Sequence, residues 1–363
     1  MDAPDPPRAR KGRGALSNAS GRFEVHSRHA ADDGWGSMDA EPPRLRTVVE
    51  EEQASGIIAR NSSPDIGFDR SINPYRGCEH GCVYCYARPT HAYLGLSPGL
   101  DFESRLFAKA NAARVLEREL ERPGYRPQPI MLGANTDPYQ PLERTRRISR
   151  AVLEVLFAFN HPVTIATKSA LVVRDLDILR PMAERRLVAV GMSLTTLDAT
   201  LARRMEPRAA SPKRRLQAIR TLCDAGVPVA VMAAPMIPFV NDHELEGILS
   251  AAAGAGAQSA SYILVRLPLE IKDLFSEWLR AHFPERAERV LARIRDSHDG
   301  RLYQAAFGTR MRGRGPYASL LGQRFRLACR NLGLAEAAAI GHNLDVSRFR
   351  PPPGRAGQLT LFD

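Results

Sequence analysis

Arg76-Gly77-Cys78-Glu79-His80-Gly81-Cys82-Val83-Tyr84-Cys85-Tyr86 is the segment on which the reading turns. Three of the five cysteines in the chain fall inside it, spaced Cys-x3-Cys-x2-Cys. A disulfide scaffold spreads its cysteines along the chain, whereas thiols crowded onto one loop suit metal ligation. Three thiolates this close can hold three irons of a cubane cluster, and the missing fourth leaves one iron open to another ligand. Gly77 and Gly81 allow the backbone to turn tightly around such a group. A Cys3His zinc site completed by His80 or His91 is the alternative, although structural zinc ligands usually come as two separated pairs. Cys223 and Cys329 stand alone, too few for a second cluster. Cys223 is expected on the apolar face of a helix, as core.

Downstream of this loop, short β-branched or apolar runs alternate with longer amphipathic ones. Strands are expected at 129–134, 162–167, 187–193, 227–233 and 261–265. Helices are expected at 144–159, 174–185, 212–225 and 242–255. Ser211-Pro212 is a good helix start, and Ala225-Gly226 a good stop. One more strand at 71–74 brings the count to about six, in the spacing of repeated βα units and a mainly parallel sheet. Six such units close a barrel only partly. The expected fold class is α/β, a partial (βα)6 barrel over residues 56–270. A helical basic extension over 271–347 follows it, with disordered termini at 1–55 and 348–363. The first of these is expected to be a flexible basic tail, because Arg8, Arg10, Lys11, Arg13 and Arg22 occur there without an acid between them and without periodicity.

The 363 residues are 44% hydrophobic and 25% charged, which excludes a fibrous or wholly disordered chain. The longest apolar run, 227–240, is interrupted by Pro228, Pro235 and Pro238 and is too short for a membrane span. The first residues carry no apolar stretch of the secretory kind, so a cytoplasmic protein is expected. A net charge of +11 favours polyanionic partners without choosing between DNA, RNA and nonspecific attraction. Residues 310–330 concentrate that charge in Arg310, Arg312, Arg314, Arg324, Arg326 and Arg330, with Tyr317 and Phe325 interleaved. Arginine grips phosphate and aromatic rings stack on exposed bases, so this stretch is a candidate nucleic-acid surface.

The cysteine loop at the head of a βα series resembles the radical S-adenosylmethionine (radical SAM) superfamily, and its surroundings resemble the spore photoproduct lyase-like (DNA repair photolyase-like) branch. The similarity is carried by Ser71-Ile72-Asn73-Pro74-Tyr75-Arg76-Gly77-Cys78 and by Asn135-Thr136-Asp137-Pro138-Tyr139-Gln140-Pro141-Leu142-Glu143. Thr167-Lys168-Ser169, Ser193-Leu194-Thr195-Thr196, Glu206-Pro207-Arg208 and Ala234-Pro235-Met236-Ile237-Pro238 add to it. The resemblance implies that Cys78, Cys82 and Cys85 hold a [4Fe–4S] cluster. It also implies that S-adenosylmethionine chelates the open iron and is cleaved reductively to a hydrogen-abstracting radical, with an electron donor as partner. Asn135 and Asp137 would then meet the amino group of S-adenosylmethionine, and Lys168 and Arg208 its carboxylate. Ser169 shares the Lys168 strand end, Ser193 would bond to ribose, and Ile237 would pack on adenine. The plainer alternative for each polar residue is a strand end that caps the next helix. Tyr84 and Tyr86 would shield the cluster or, with Cys329, relay a hydrogen atom. The loop Gly133-Ala134-Asn135-Thr136 holds no cysteine where the photoproduct lyases proper keep their hydrogen donor, and in this the chain departs from them.

The expected function is therefore a radical SAM enzyme, lyase-like, acting on damaged or modified DNA. RNA, protein or a small molecule is the alternative substrate. A non-catalytic iron–sulfur or zinc module that binds DNA or a clamp is the alternative of another class. The last residues, Gln358-Leu359-Thr360-Leu361-Phe362, resemble the pentapeptide with which bacterial polymerases and repair proteins bind the DNA sliding clamp. The Pro- and Gly-rich stretch before them would be an extended tether. The expected outcome is clamp binding in the micromolar range by Gln358, Leu359, Leu361 and Phe362, abolished in the Leu361→Ala/Phe362→Ala double variant. Undiminished binding of that variant in surface plasmon resonance would refute the motif.

Overall fold

The computed structural model describes residues 10–24, 44–336 and 343–352. Its strands, in chain order, are β1 (Val48–Glu52), β2 (Ile58–Arg60), β3 (Arg70–Ile72), β4 (Tyr75–Arg76), β5 (Arg105–Lys109) and β6 (Ile130–Leu132). After these come β7 (Val163–Thr167), β8 (Val188–Ser193), β9 (Val229–Met236), β10 (Ser259–Leu264) and β11 (Ala335–Glu336). The helices are α1 (Leu100–Ser104), α2 (Ala112–Leu120), α3 (Glu143–Arg146), α4 (Ile148–Ala158), α5 (Leu176–Glu184) and α6 (Ala199–Met205). The later ones are α7 (Pro212–Asp224), α8 (Leu245–Gly254), α9 (Ile271–His282), α10 (Ala287–Asp296) and α11 (Gly315–Leu332).

Eight strands form one sheet in the order β11-β10-β9-β8-β7-β6-β3-β2. Every pairing from β3 through β10 is parallel. These are the six strands of a partial barrel, as the sequence spacing implied. β2 adds an antiparallel edge to β3, and β11 a parallel one to β10. All six residues of β8 are buried, as a strand covered on both faces requires. Parallel order places the carboxyl ends of the six strands along one rim, where loops gather polar groups.

Local chemistry explains where elements begin. Ser211 caps α7, its hydroxyl accepting the Arg214 amide at 3.4 Å, with Pro212 in the first turn. The helix expected over 144–159 is broken in two at Arg147, which adopts a left-handed conformation (φ 53°). The carboxylate of Glu143 supplies the reason. It accepts the amides of Ser149 at 3.0 Å and Arg150 at 3.2 Å, capping α4 from the end of the preceding turn.

The described parts of the expected 1–55 tail are built into the fold, which corrects that expectation. Glu103, fully buried, accepts the amides of Gly14 at 2.9 Å and Ala15 at 2.8 Å. Arg13, only 6% exposed, donates to the Glu103 carbonyl at 2.6 Å. Gly14 lies so close to the cysteine loop that a Cβ there would sit 1.8 Å from the Gly81 carbonyl oxygen. β1 pairs with β5 in a second sheet of order β1-β5-β4. Composition suggested a solvated tail; a buried carboxylate ninety residues downstream in sequence overrides it.

The carboxyl-terminal boundaries shift as well. Phe349 packs against Tyr125, Phe159 and His161, and the Arg350 amide donates to the Phe159 carbonyl at 3.0 Å. The 348–363 tail is thus anchored at its first residues. The 271–347 extension is not a separate body either: α9 and α10 share one core with Cys82, Val83 and Tyr84. α11 packs on α8 and β10. Among the described residues no helix is long and apolar enough to cross a membrane.

Glu103 also pairs with Arg88, both fully buried. Glu103→Ala strands that guanidinium and releases the amino-terminal strap, so it should cost about 3–5 kcal/mol of stability. Urea denaturation followed by circular dichroism checks this, with an unchanged midpoint counting against the strap as a structural element.

Candidate functional site

The cysteine loop is held from every side by backbone bonds. The Cys78 amide donates to the Phe102 carbonyl at 2.9 Å, and the Val83 amide to the Met205 carbonyl at 3.1 Å. Gln140 bridges the turn, accepting the Glu79 amide at 2.9 Å and donating to the Gly77 carbonyl at 3.2 Å. Arg88 reaches the Cys82 carbonyl at 2.8 Å. Gly77 has φ 74°, and a Cβ there would meet the Leu106 side chain at 2.6 Å and the Phe102 carbonyl oxygen at 2.8 Å. Only glycine fits that turn.

All three loop cysteines are free thiols; Cys78 and Cys82 are buried and Cys85 is half-buried. Burial pushes the Cys78 thiol up, and Asp137 and the other two cysteines push it further. Burial likewise raises Cys82, while Lys168 and Arg215 oppose the shift. Three neighbouring thiolates in this setting need cationic compensation, which a metal cluster and Lys168 would supply together. Among the described residues no three His, Cys, Asp or Glu side chains converge as ligands of one ion would. A cubane asks for less, since each cysteine binds a different iron. His80 Nδ1 lies 3.3 Å from Asp137, and His91 Nε2 is 2.9 Å from the Arg105 carbonyl while its Nδ1 is buried without a partner. The donor set therefore fits a three-cysteine cluster.

The strand-end residues fall around this loop in different states. Lys168, at the end of β7, holds its ammonium 5.8 Å from the Tyr84 ring centroid. Burial lowers its pKa, but Cys82 and Glu206 outweigh that and leave it raised. No carboxylate among the described residues forms an ion pair with it. Asp137 is saturated: its carboxylate accepts from the Tyr139 amide, the Thr167 hydroxyl and the Lys168 amide at 2.7–2.8 Å, and faces His80. Burial raises this carboxyl, yet His80 and these donors hold it at about 2. Asp137 thus ties the cysteine loop to β7. Asn135 is exposed, with its amide on Asn73 at 2.7 Å. Ser169 caps the next turn, accepting the Leu171 amide at 3.2 Å, which is the plainer alternative named for it. Ser193 is buried and donates to the Ala234 carbonyl at 3.2 Å. Arg208 pairs with Glu79 at 3.1 Å. Ile237 is fully buried in the core that holds Cys82 and Tyr84.

The tyrosines diverge. Tyr84 is buried with its hydroxyl donated to Glu206, whereas Tyr86 is 49% exposed with its hydroxyl on the Ala134 carbonyl. Cys329 is buried on α11 in the main barrel core, separate from the core around Cys82, and burial raises its thiol to about 11. That corrects its reading as a hydrogen relay. Cys223 is only half-buried, and its thiol donates to the Gly256 carbonyl at 3.1 Å. The aromatic part of the 310–330 reading is corrected too. Phe325 is fully buried and Tyr317 donates to Asp242 at 2.7 Å, so neither is free to stack on a base. Arg310 pairs with Asp65 and Arg324 with Glu246. The clamp-like residues Gln358, Leu359, Leu361 and Phe362 lie outside the described residues.

One buried network was missed in the sequence. Glu206 accepts from Tyr84, from Thr195 at 2.7 Å and from Arg215, which also donates to the Ser193 carbonyl at 3.0 Å and the Ala210 carbonyl at 2.7 Å. The signal was present: Arg215 sits on the apolar stripe of α7 with Ala218, Ile219 and Leu222. A charge on a buried stripe must have a partner.

Residues 72–252 match the family model of the radical SAM superfamily. The chain belongs to that superfamily. Membership implies S-adenosylmethionine and a [4Fe–4S] cluster. An uncharacterised protein of Mycobacterium tuberculosis is 38% identical over 224 residues, covering 61% of this chain and 66% of its own length. An uncharacterised protein of Methanocaldococcus jannaschii is 27% identical over 173 residues, 48% of this chain and 62% of the other. The chain thus matches somewhat less than two thirds of these relatives. The radical SAM fold here is similar to that of spore photoproduct lyase complexed with dinucleoside spore photoproduct, with a TM-score of 0.55, 14% identity, and coverage of 79% of this chain and 81% of that one. A mutant of that lyase with bound AdoMet and the same dinucleoside aligns with the same score.

Burial raises Glu206, but Arg215 and Lys168 hold it at about 2, below its ordinary 4.5. A carboxyl held low stabilises fully above its ordinary pKa, and the contribution fades as pH falls through the folded value. The metal-free protein should therefore lose stability between about pH 4.5 and 2. Glu206→Gln should be less stable at pH 6 yet lose less on acidification. Urea midpoints at pH 6 and pH 3 test this, and equal acid losses in both proteins would contradict it.

Proposed function

We propose that this radical SAM protein cleaves S-adenosylmethionine reductively to abstract hydrogen from a nucleic-acid substrate, with damaged or modified DNA as the favoured class. The observation that carries the reading is the buried Cys78–Cys82–Cys85 loop with the ammonium of Lys168 beside it. When bound, the cluster and S-adenosylmethionine supply the radical chemistry. The chain's own residues orient and exclude. Tyr84 and the apolar side chains of Ile237, Val265 and Leu267 keep water from the inner face of the loop. Lys168, without a carboxylate partner, is suited to the carboxylate of S-adenosylmethionine. Asn135 is exposed at the rim and available for its amino group. Arg208 has donors beyond the one that meets Glu79 to offer beside Lys168, and Ser193 can accept from ribose while donating to Ala234. Asp137 supports the site by fixing His80 and β7 in place.

The net charge of +11 and the lyase-like fold support a nucleic acid over a small molecule. The absent cysteine in the 133–136 loop separates the reaction from that of the photoproduct lyases proper, so a different hydrogen source is proposed.

The test is formation of 5′-deoxyadenosine. The protein is reconstituted anaerobically with iron and sulfide and given dithionite, S-adenosylmethionine and ultraviolet-irradiated DNA. Wild type should form the product, faster with irradiated than with untreated DNA, and Cys82→Ala should form none. A full cluster in wild type without any product would overturn the enzyme reading in favour of a binding module.

A further inference from the structure

Arg266 stands two residues beyond β10, on the rim where the carboxyl ends of the barrel strands gather. It lies against two rings, 5.5 Å from the Tyr86 centroid and 6.0 Å from the Tyr303 centroid. Tyr86 directly follows Cys85, so the guanidinium borders the cysteine loop itself. Its hydrogen-bonding is unusual for an arginine in such a place. One terminal nitrogen donates to the thioether sulfur of Met311 at 3.0 Å, a weak acceptor. The Nε is buried and has no partner. No carboxylate among the described residues forms an ion pair with Arg266. Arg88, Arg215 and Arg310 each have one, in Glu103, Glu206 and Asp65.

A half-buried guanidinium without a counter-charge costs stability that packing alone does not return. Its neighbours do not neutralise it. Lys168 and Arg266, neither of them in an ion pair among the described residues, place two positive charges beside the cysteine loop. Two aromatic contacts hold the planar group in place, which suits a donor edge presented to paired oxygens.

We infer that Arg266 anchors a phosphodiester of the substrate at the mouth of the barrel, beside Tyr86. The inference rests on the nucleic-acid reading above and adds a specificity-determining residue to it. The missing counter-charge arrives with the substrate, and the anchor places the adjoining nucleotide over the loop that holds the cysteines.

The experiment measures fluorescence anisotropy of a short labelled single strand, ultraviolet-irradiated, with the reconstituted protein across a salt series. A second strand carries a neutral methylphosphonate at the central linkage. Wild type should favour the phosphodiester by about tenfold. Arg266→Gln should abolish that preference and make the slope of log affinity against log salt shallower by about 0.7, one phosphate contact on a single strand. Arg266→Lys, which keeps the charge without the fork, should retain the slope and part of the preference. That variant also guards against a folding defect in the first. Wild-type slope and preference in Arg266→Gln would overturn the anchor while leaving the DNA reading intact. Wild type that binds neither strand, yet turns over S-adenosylmethionine, would overturn the nucleic-acid reading and the anchor with it.

Discussion

Glu103 holds a carboxylate with no solvent exposure, and the geometry of the cysteine loop depends on it. Its two oxygens take the amides of Gly14 and Ala15 and the guanidinium of Arg88. Arg88 in turn fixes the carbonyls of Cys82, Pro98 and Gly99. A single buried charge thus links the amino-terminal strap, the loop and the turn after it. A charge in that position is tolerated only when it is paired and hydrogen-bonded, and here the partners come from two separate stretches of chain. The Gly77 turn and the Gln140 bridge shape the loop, but the charge sets where it sits.

Around the loop, charge is balanced in layers. Glu206 and Arg215 cancel within the core, and Asp137 is consumed by His80 and backbone amides. Lys168 and Arg266 are the cations left over on the open side. Such an arrangement keeps the positive surplus at the carboxyl rim of the barrel and neutrality within the core. Conspicuous residues differ in their engagements: Asp137 and Ser169 accept backbone amides, while Lys168 has no carboxylate partner among the described residues.

Much of this was legible in the sequence. The six parallel strands follow from alternation of apolar runs, and Ser211-Pro212 marked its helix start to the residue. The cysteine spacing pointed to the metal chemistry. Interactions at long range were not legible. Nothing near Arg13 in the sequence announces Glu103, and the stretch was read as a tail for that reason. The break at Arg147 required a carboxylate from one turn earlier to replace a helical bond. Phe325 and Tyr317 looked available for stacking because an arginine-rich run hides the apolar stripe on which Phe325 lies. Arg215 was the reverse case, a charge on an apolar stripe that could have been noticed and was passed over.

The strap has one consequence for how the molecule is assembled. Gly14 rests on the Gly81 carbonyl with no room for a side chain, so the strap can seat only on a loop that already has its final shape. During synthesis Arg13 leaves the ribosome long before Glu103 exists. The earliest residues of the described chain are therefore among the last to find their place. Until then the face of the cysteine loop that carries the Gly81 carbonyl is uncovered.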